Sequence, residues 1–227
     1  MSFVVTAPVQ PSIEVAGSRD RFPVRRIFCV GRNYAAHARE MGNDDREPPF
    51  FFTKPADAVV ANDSSVPYPP RTSNFHHEVE LVVAIGSAGA NVSKNDASAL
   101  IYGYAVGIDL TRRDLQSGLK DKGQPWDVSK GFDNSAPVAA LHARKDVGLI
   151  ETGEIWLKVN GKDRQRGNVA EMTWKVPEII AELSTFFALA PGDLIFTGTP
   201  AGVGPLVRGD VVEAGIAGLT TLKIKIV

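Results

Sequence analysis

The chain has 227 residues, 44% of them apolar, enough to bury the core of one large domain, with or without a short N-terminal appendage. A formal charge of -1 and a pI near 6.4 exclude a global electrostatic attraction to nucleic acid or to an anionic membrane. A single cysteine excludes a disulfide framework, and no stretch reads as a signal segment or a membrane span, so a cytoplasmic protein with neither nucleic acid nor membrane as partner is expected.

Residues 1–25 mix Pro8, Pro11, Gly17 and Pro23 with short apolar pieces, which predicts an arm or edge hairpin packed on a body formed by residues 26–227. Short apolar runs then predict strands at Ile27–Gly31, Phe50–Thr53, Glu78–Gly86, Tyr102–Leu110, Pro137–Leu141, Ile155–Val159, Leu194–Thr197, Val211–Glu213 and Leu219–Val227. Cys29, inside the first of these runs, reads as a buried structural thiol. Asn160-Gly161 tolerates positive φ at both positions and predicts a hairpin whose flanking strands pair. Helices are fewer: Tyr34–Met41, Lys94–Leu100, Arg113–Asp121 and Pro177–Phe187. The last has Pro177 in its first turn and a core-facing stripe of Ile179, Ile180, Leu183, Phe186 and Phe187. Gly42–Pro49 and Lys120–Asn134 lack periodicity and read as loops. Many short strands with few helices point to an all-β or α+β body.

Chemistry concentrates at a few places. Glu78 and Glu80 fall two apart in a strand, hence on one face, where a divalent cation would relieve their repulsion. Oxygen-only ligands favour magnesium, manganese or calcium. For this segment in isolation, the solvated face of an edge strand explains the same spacing. Asp109 interrupts the end of another apolar strand and is the best third ligand. Arg113 and Gln116 are three apart and share a helix face, as do His37 and Glu40, where the carboxylate would raise the basicity of the imidazole toward water; solvated surface pairs show the same spacing. Lys54 and Lys130 lie beside apolar residues and either serve a pocket or snorkel. The loop from Thr197 to Pro205 holds three glycines and fits close backbone approach to an anion, or a plain tight connection. It matches neither the P-loop nor the dinucleotide fingerprint.

Six ordered segments resemble the fumarylacetoacetate hydrolase family: Val30-Gly31-Arg32-Asn33-Tyr34 with His37 and Glu40; Phe52-Thr53-Lys54-Pro55; His76-His77-Glu78-Val79-Glu80-Leu81; Asp109 through Gln116; Lys130-Gly131-Phe132; and Phe196 through Gly204. The compact length and the Gly-Arg-Asn-Tyr start are most similar to the acylpyruvase branch. The resemblance implies an α+β fold, a mixed β-roll or β-sandwich body with a few short helices, and a homodimer. It implies a Mg2+ or Mn2+ ion on Glu78, Glu80 and Asp109, with His37 and Glu40 activating water from a lid helix. Lys130 and Gln116 would stabilise charge and position groups at the scissile bond. Arg113 would line the pocket with Lys54, and Gly198 and Thr199 would hold the pyruvoyl carboxylate. Arg112 stands where the family often has a small residue, which adds a positive charge near the site.

The activity implied is metal-dependent hydrolysis of a carbon–carbon bond in a 2,4-dioxo acid, an acylpyruvate such as the fumarylpyruvate of aromatic catabolism, to pyruvate and a carboxylic acid. Oxaloacetate decarboxylation is chemically adjacent, because there too the pyruvate unit departs with the bonding electron pair. A sugar-acid dehydratase lies further off. A catalytically silent binding protein is the alternative from another class, and it has no need of the His37 and Glu40 pair.

Overall fold

The computed structural model describes residues 3–34 and 47–227. The predicted helix Tyr34–Met41 falls outside them except for Tyr34, which is buried and bridges to Met172.

A six-stranded sheet runs in the order His142–Ala143, Ile101–Ile108, Val79–Ile85, Asp193–Phe196, Arg26–Gly31 and Phe50–Lys54. All its pairings are antiparallel except that of Asp193–Phe196 with Arg26–Gly31. The Val79–Ile85 strand is an unbroken apolar run apart from Glu80 because both of its faces are covered. Val79, Leu81, Val83 and Ile85 point into the larger core, which they share with Ile155, Leu157, Val212 and Ala214 of a second sheet. That five-stranded sheet has the order Lys162–Asn168, Glu154–Val159, Val211–Ile216, Leu222–Ile226 and Ser64–Val66. Val82 and Ala84 point the other way, into a smaller core closed by Ile13, Phe22 and Val24. These three belong to or directly follow a hairpin of Ser12–Glu14 with Arg21–Pro23. The architecture is thus an α+β sandwich of mixed sheets with a few short helices.

The Asn160-Gly161 turn has φ of +52° and +74°, and Val159 pairs with Lys162 across it, as the sequence predicts. Helix Arg113–Asp121 has the predicted bounds. Helix Val176–Phe186 begins with Pro177 in its first turn, and the Glu178 carboxylate accepts from the Lys175 N–H at 2.9 Å. Its Ile179, Ile180 and Leu183 are buried, each contributing about 1.5–3 kcal/mol of transfer free energy.

Four expectations need correction. The strand carrying Glu80 is interior, so the edge-strand explanation of the paired carboxylates fails. Phe186 and Phe187 leave the core stripe, being 64% and 39% exposed, because Phe186 is the last helical residue and Phe187, beyond it, packs tilted against Phe28 with ring centroids 4.9 Å apart. Of residues Pro137–Leu141 only Pro137 lies in a strand, Ala136–Pro137, while Val138 and Leu141 form isolated bridges to Gly107 and Val15. The Lys120–Asn134 stretch contains a helical turn, Asp127–Lys130, where the sequence predicts a loop because one turn is too short to show a period.

A third, three-stranded sheet bears most directly on the chemistry. It joins Thr111–Arg112, Phe75–His77 and Gly204–Leu206. These segments lead out of Asp109, into Glu78 and out of the glycine loop, so one small sheet gathers three chemically suspect stretches at the end of the large one.

Close packing within the large sheet gives a direct test. A Cβ built on Gly103 would lie 2.1 Å from the His142 carbonyl oxygen, so Gly103→Ala must push the two strands apart. Urea denaturation should show a loss of about 1–3 kcal/mol. An unchanged midpoint would contradict this packing.

Candidate metal centre and active site

The antiparallel register assembles the acidic cluster. Val79 pairs with Ile108 and Glu80 with Gly107, and the Asp109 N–H donates to the Glu78 carbonyl at 2.8 Å, which sets Asp109 across from Glu78. One oxygen from each of Glu78, Glu80 and Asp109 lies within 4.8 Å of the others. All three residues are buried, at 6%, 2% and 0% exposure.

Three cations face two of these carboxylates. Lys130, at the end of its helical turn, donates to Glu78 Oε2 at 2.8 Å and to Asp109 Oδ2 at 2.7 Å. Arg113 contacts Glu78 Oε1 and also the Gln116 side-chain oxygen. Lys54 Nζ stands 2.8 Å from Asp109 Oδ1, but that oxygen accepts no aligned hydrogen bond. Glu80 has no cation among the described residues; its Oε2 accepts the Gly198 N–H at 2.7 Å.

The electrostatics follow from this division. Burial alone would raise the Glu78 carboxyl, yet Lys130 and Arg113 bring it below the ordinary carboxylate range. Burial opposes the Lys130 charge as well, and Asp109 and Glu78 hold its ammonium above the usual lysine value. Glu80 goes the other way: burial, then Asp109 and Glu78, push its carboxyl well above normal. A divalent ion among the three would give Glu80 the counter-charge it lacks and Asp109 Oδ1 a partner. The donors are all hard oxygens, so the set fits magnesium or manganese.

A cavity of about 360 Å³ opens over the cluster. Helix Arg113–Asp121 lines one side with Arg113, Gln116, Ser117, Lys120 and Asp121, the i, i+3 and i+4 positions of one face. Phe50, Phe52 and Trp126 form an apolar wall, with Trp126 edge-on to Phe50 at 5.2 Å. Gly198 and Thr199 form part of the remaining lining. Gly198 adopts φ +96°, and a Cβ there would meet Asn33 Cβ at 2.8 Å, so only glycine brings this loop so close.

Of the residues singled out in the sequence, the structure brings Glu78, Glu80, Asp109, Lys130, Arg113, Gln116, Gly198 and Thr199 to one cavity. Lys54 departs from its expected place against substrate. Its ammonium is fully buried beside Asp109 and the Leu110 carbonyl, so it holds a carboxylate in position and does not line the cavity. Arg112 does not add its charge to the cavity either; its guanidinium lies 4.4 Å over the Phe132 ring and donates to the Val128 carbonyl. His37 and Glu40 lie outside the described residues.

Three residues acquire roles that sequence reasoning misses. Asn33 donates to the Thr197 and Trp174 carbonyls at 2.8 and 2.9 Å, which fixes the start of the glycine loop; its place in the Gly-Arg-Asn-Tyr segment is the available signal. His76 lines the cavity, pairs with Asn74 Oδ1 at 2.8 Å, and is pushed down to about 4 by burial and by Arg113, so it stays neutral beside the cations. Gln165 is buried beneath the glycine loop, and no spacing points to it.

The raised Glu80 carboxyl predicts the pH dependence of metal binding. Its protonated form competes with a cation, so Mn2+ affinity should rise as pH increases through that raised pKa, with proton release visible by calorimetry in buffers of different ionisation enthalpy. Glu80→Gln should remove the release and weaken binding. An affinity that does not rise with pH above the ordinary carboxylate range would overturn the assignment of that proton.

Comparison with known proteins agrees with this geometry. The family model for the fumarylacetoacetate (FAA) hydrolase C-terminal domain matches residues 26–227. A fumarylpyruvate hydrolase of Ralstonia sp. is 47% identical over 180 residues, 79% of this chain and 93% of that protein. The mitochondrial oxaloacetate decarboxylase of Dictyostelium discoideum is 41% identical over 198 residues, 87% of this chain and 91% of that one. Among solved structures, fumarylpyruvate hydrolase from Pseudomonas aeruginosa in complex with Mn2+ and pyruvate superposes with a TM-score of 0.97 at 48% identity, covering 100% of this chain and 99% of that one. The matched length, the shared fold and the acidic cavity together establish that this chain is an enzyme of the fumarylacetoacetate hydrolase family, a hydrolase acting on carbon–carbon bonds of oxo acids.

Proposed function

We propose that this enzyme cleaves acylpyruvates, with fumarylpyruvate the foremost substrate, using Mg2+ or Mn2+ held by Glu78, Glu80 and Asp109. The observation that carries the reading is the carboxylate triad at the floor of a cavity whose rim offers both a buried ammonium and a hydroxyl-bearing glycine loop. The relative with Mn2+ and pyruvate supports it.

When bound, the ion supplies positive charge to the carboxylate and 2-oxo oxygens of a 2,4-dioxo acid. Thr199 donates to the substrate carboxylate, and Gly198 keeps Glu80 aligned from behind. His37, paired with Glu40, takes a proton from water, which adds to the distal carbonyl carbon. Lys130, kept protonated by Asp109 and Glu78, stabilises the oxyanion that develops there. Gln116, tied to Arg113, positions the scissile bond from the helix side. The bond between C3 and the acyl carbon then breaks; its electron pair stays with the pyruvate unit, which takes up a proton at C3, and the acyl group leaves as a carboxylic acid. Phe50, Phe52 and Trp126 exclude bulk water from the acyl side. The family's expected homodimer belongs to the same proposal and is open to light scattering in solution.

Oxaloacetate decarboxylation is the second reading, favoured by the decarboxylase relative. It ends at the same pyruvate fragment but needs no attacking water. Purified protein with Mn2+ should therefore be assayed against a panel of acylpyruvates and oxaloacetate. Fumarylpyruvate should show the highest catalytic efficiency, and His37→Ala should cut its hydrolysis roughly 100-fold or more while lowering oxaloacetate turnover less. Oxaloacetate outranking every acylpyruvate would overturn the hydrolase reading. Hydrolysis that survives His37→Ala would move the base elsewhere.

A further inference from the structure

Gln165 is the one fully buried side chain of the Lys162–Asn168 strand, at 1% exposure, and its amide is saturated. Oε1 accepts the Val79 N–H at 3.1 Å and lies 2.9 Å from His77 Nδ1; Nε2 donates to Thr199 Oγ1 at 2.8 Å and to the Pro200 carbonyl at 2.9 Å. Two of these partners settle which end of the amide is which. A backbone N–H can only donate and a backbone carbonyl can only accept, so the oxygen must face Val79 and the nitrogen Pro200. His77 must then carry its proton on Nδ1.

The consequence falls on Thr199. Its oxygen receives the Gln165 N–H, so its own hydroxyl proton remains to be donated, and among the described residues no protein acceptor takes it. Thr199 lines the cavity beside Gly198, whose N–H already serves Glu80. The loop packs tightly on the Gln165 strand here: at Gly202, φ +94°, a Cβ would lie 2.2 Å from the Arg164 carbonyl.

We infer that Gln165 is a positioning residue for catalysis: it commits the Thr199 hydroxyl to act as a donor, and so tunes the cavity to the carboxylate of a 2-oxo acid. An unassisted threonine hydroxyl is free to turn its proton toward other acceptors and away from the cavity. With Gln165 in place the rotamer that aims the proton at residue 165 is closed, which favours donation toward the cavity. This rests on the reading that Thr199 holds the substrate carboxylate, and it adds the group that makes Thr199 competent to do so.

Pyruvate binding to the Mn2+-loaded protein, measured by calorimetry, separates the two claims. Thr199→Val should weaken pyruvate roughly tenfold or more, the loss of one hydrogen bond to a charged group. Gln165→Met, similar in length and uncharged, should weaken it at least about fivefold and raise KM more than it lowers kcat. The double variant should bind within about twofold of Thr199→Val alone, because Gln165 acts through that hydroxyl. A merely structural role would instead give losses that multiply. Gln165→Glu keeps the bonds from Val79 and His77, loses the one to the Pro200 carbonyl and captures the hydroxyl proton, so it should bind pyruvate as poorly as Thr199→Val, and it serves if Gln165→Met does not fold. Unchanged pyruvate affinity in Thr199→Val overturns the carboxylate placement and this inference with it. A weakened Thr199→Val with an unaffected Gln165→Met, or multiplicative losses in the double variant, overturns the orienting role alone.

Discussion

Three carboxylates buried within 4.8 Å of one another repel strongly, and the arrangement of this molecule answers that repulsion. Two of them are neutralised from within the chain, by Lys130, Arg113 and Lys54, each delivered by a different segment. The third, Glu80, has no ion-pair partner among the described residues and accepts a backbone N–H. A site balanced throughout would have no affinity for a cation; one with no internal balance would resist folding without it. The uneven distribution suits a stable fold in which one corner could hold a divalent ion.

The same constraint explains the topology around the site. The carboxylates come from two neighbouring strands whose register is fixed by their apolar faces, since a one-residue slip would turn Glu80 into the larger core in place of Leu81. The small sheet of Thr111–Arg112, Phe75–His77 and Gly204–Leu206 then ties together the segments that flank the acids and the anion-facing loop. The positions of the acids and of the glycine loop are thus set by backbone pairing more than by mobile side chains.

Much of this is legible in the sequence, and the limits are physical. The central strand, the Asn160-Gly161 hairpin and the Arg113–Asp121 helix carry local periodicity or turn chemistry, so they read directly. Asp109 is legible because a charge that ends an apolar strand needs a partner. The interior position of the Glu80 strand is not, since edge and centre differ only in which distant segments pair with them. Lys54 behind Asp109, Arg112 on Phe132 and Gln165 under Thr199 all depend on contacts between residues at least 20 positions apart. Local pattern carries no trace of such contacts. Phe186 and Phe187 keep the helical spacing of core residues after the helix has ceased to face the core.

The N-terminal hairpin draws a line that differs from the family's own. The family model begins at residue 26, yet Ile13, Phe22 and Val24 close the smaller core against Ile27, Cys29, Val82 and Ala84, the same sheet face from which Glu80 projects. The stretch matched by the family model is therefore smaller than the packed unit. A chain trimmed to the matched part would leave the underside of its own active-site sheet wet, so loss of activity in such a fragment would report on exposed apolar surface and say little about the residues that do the chemistry.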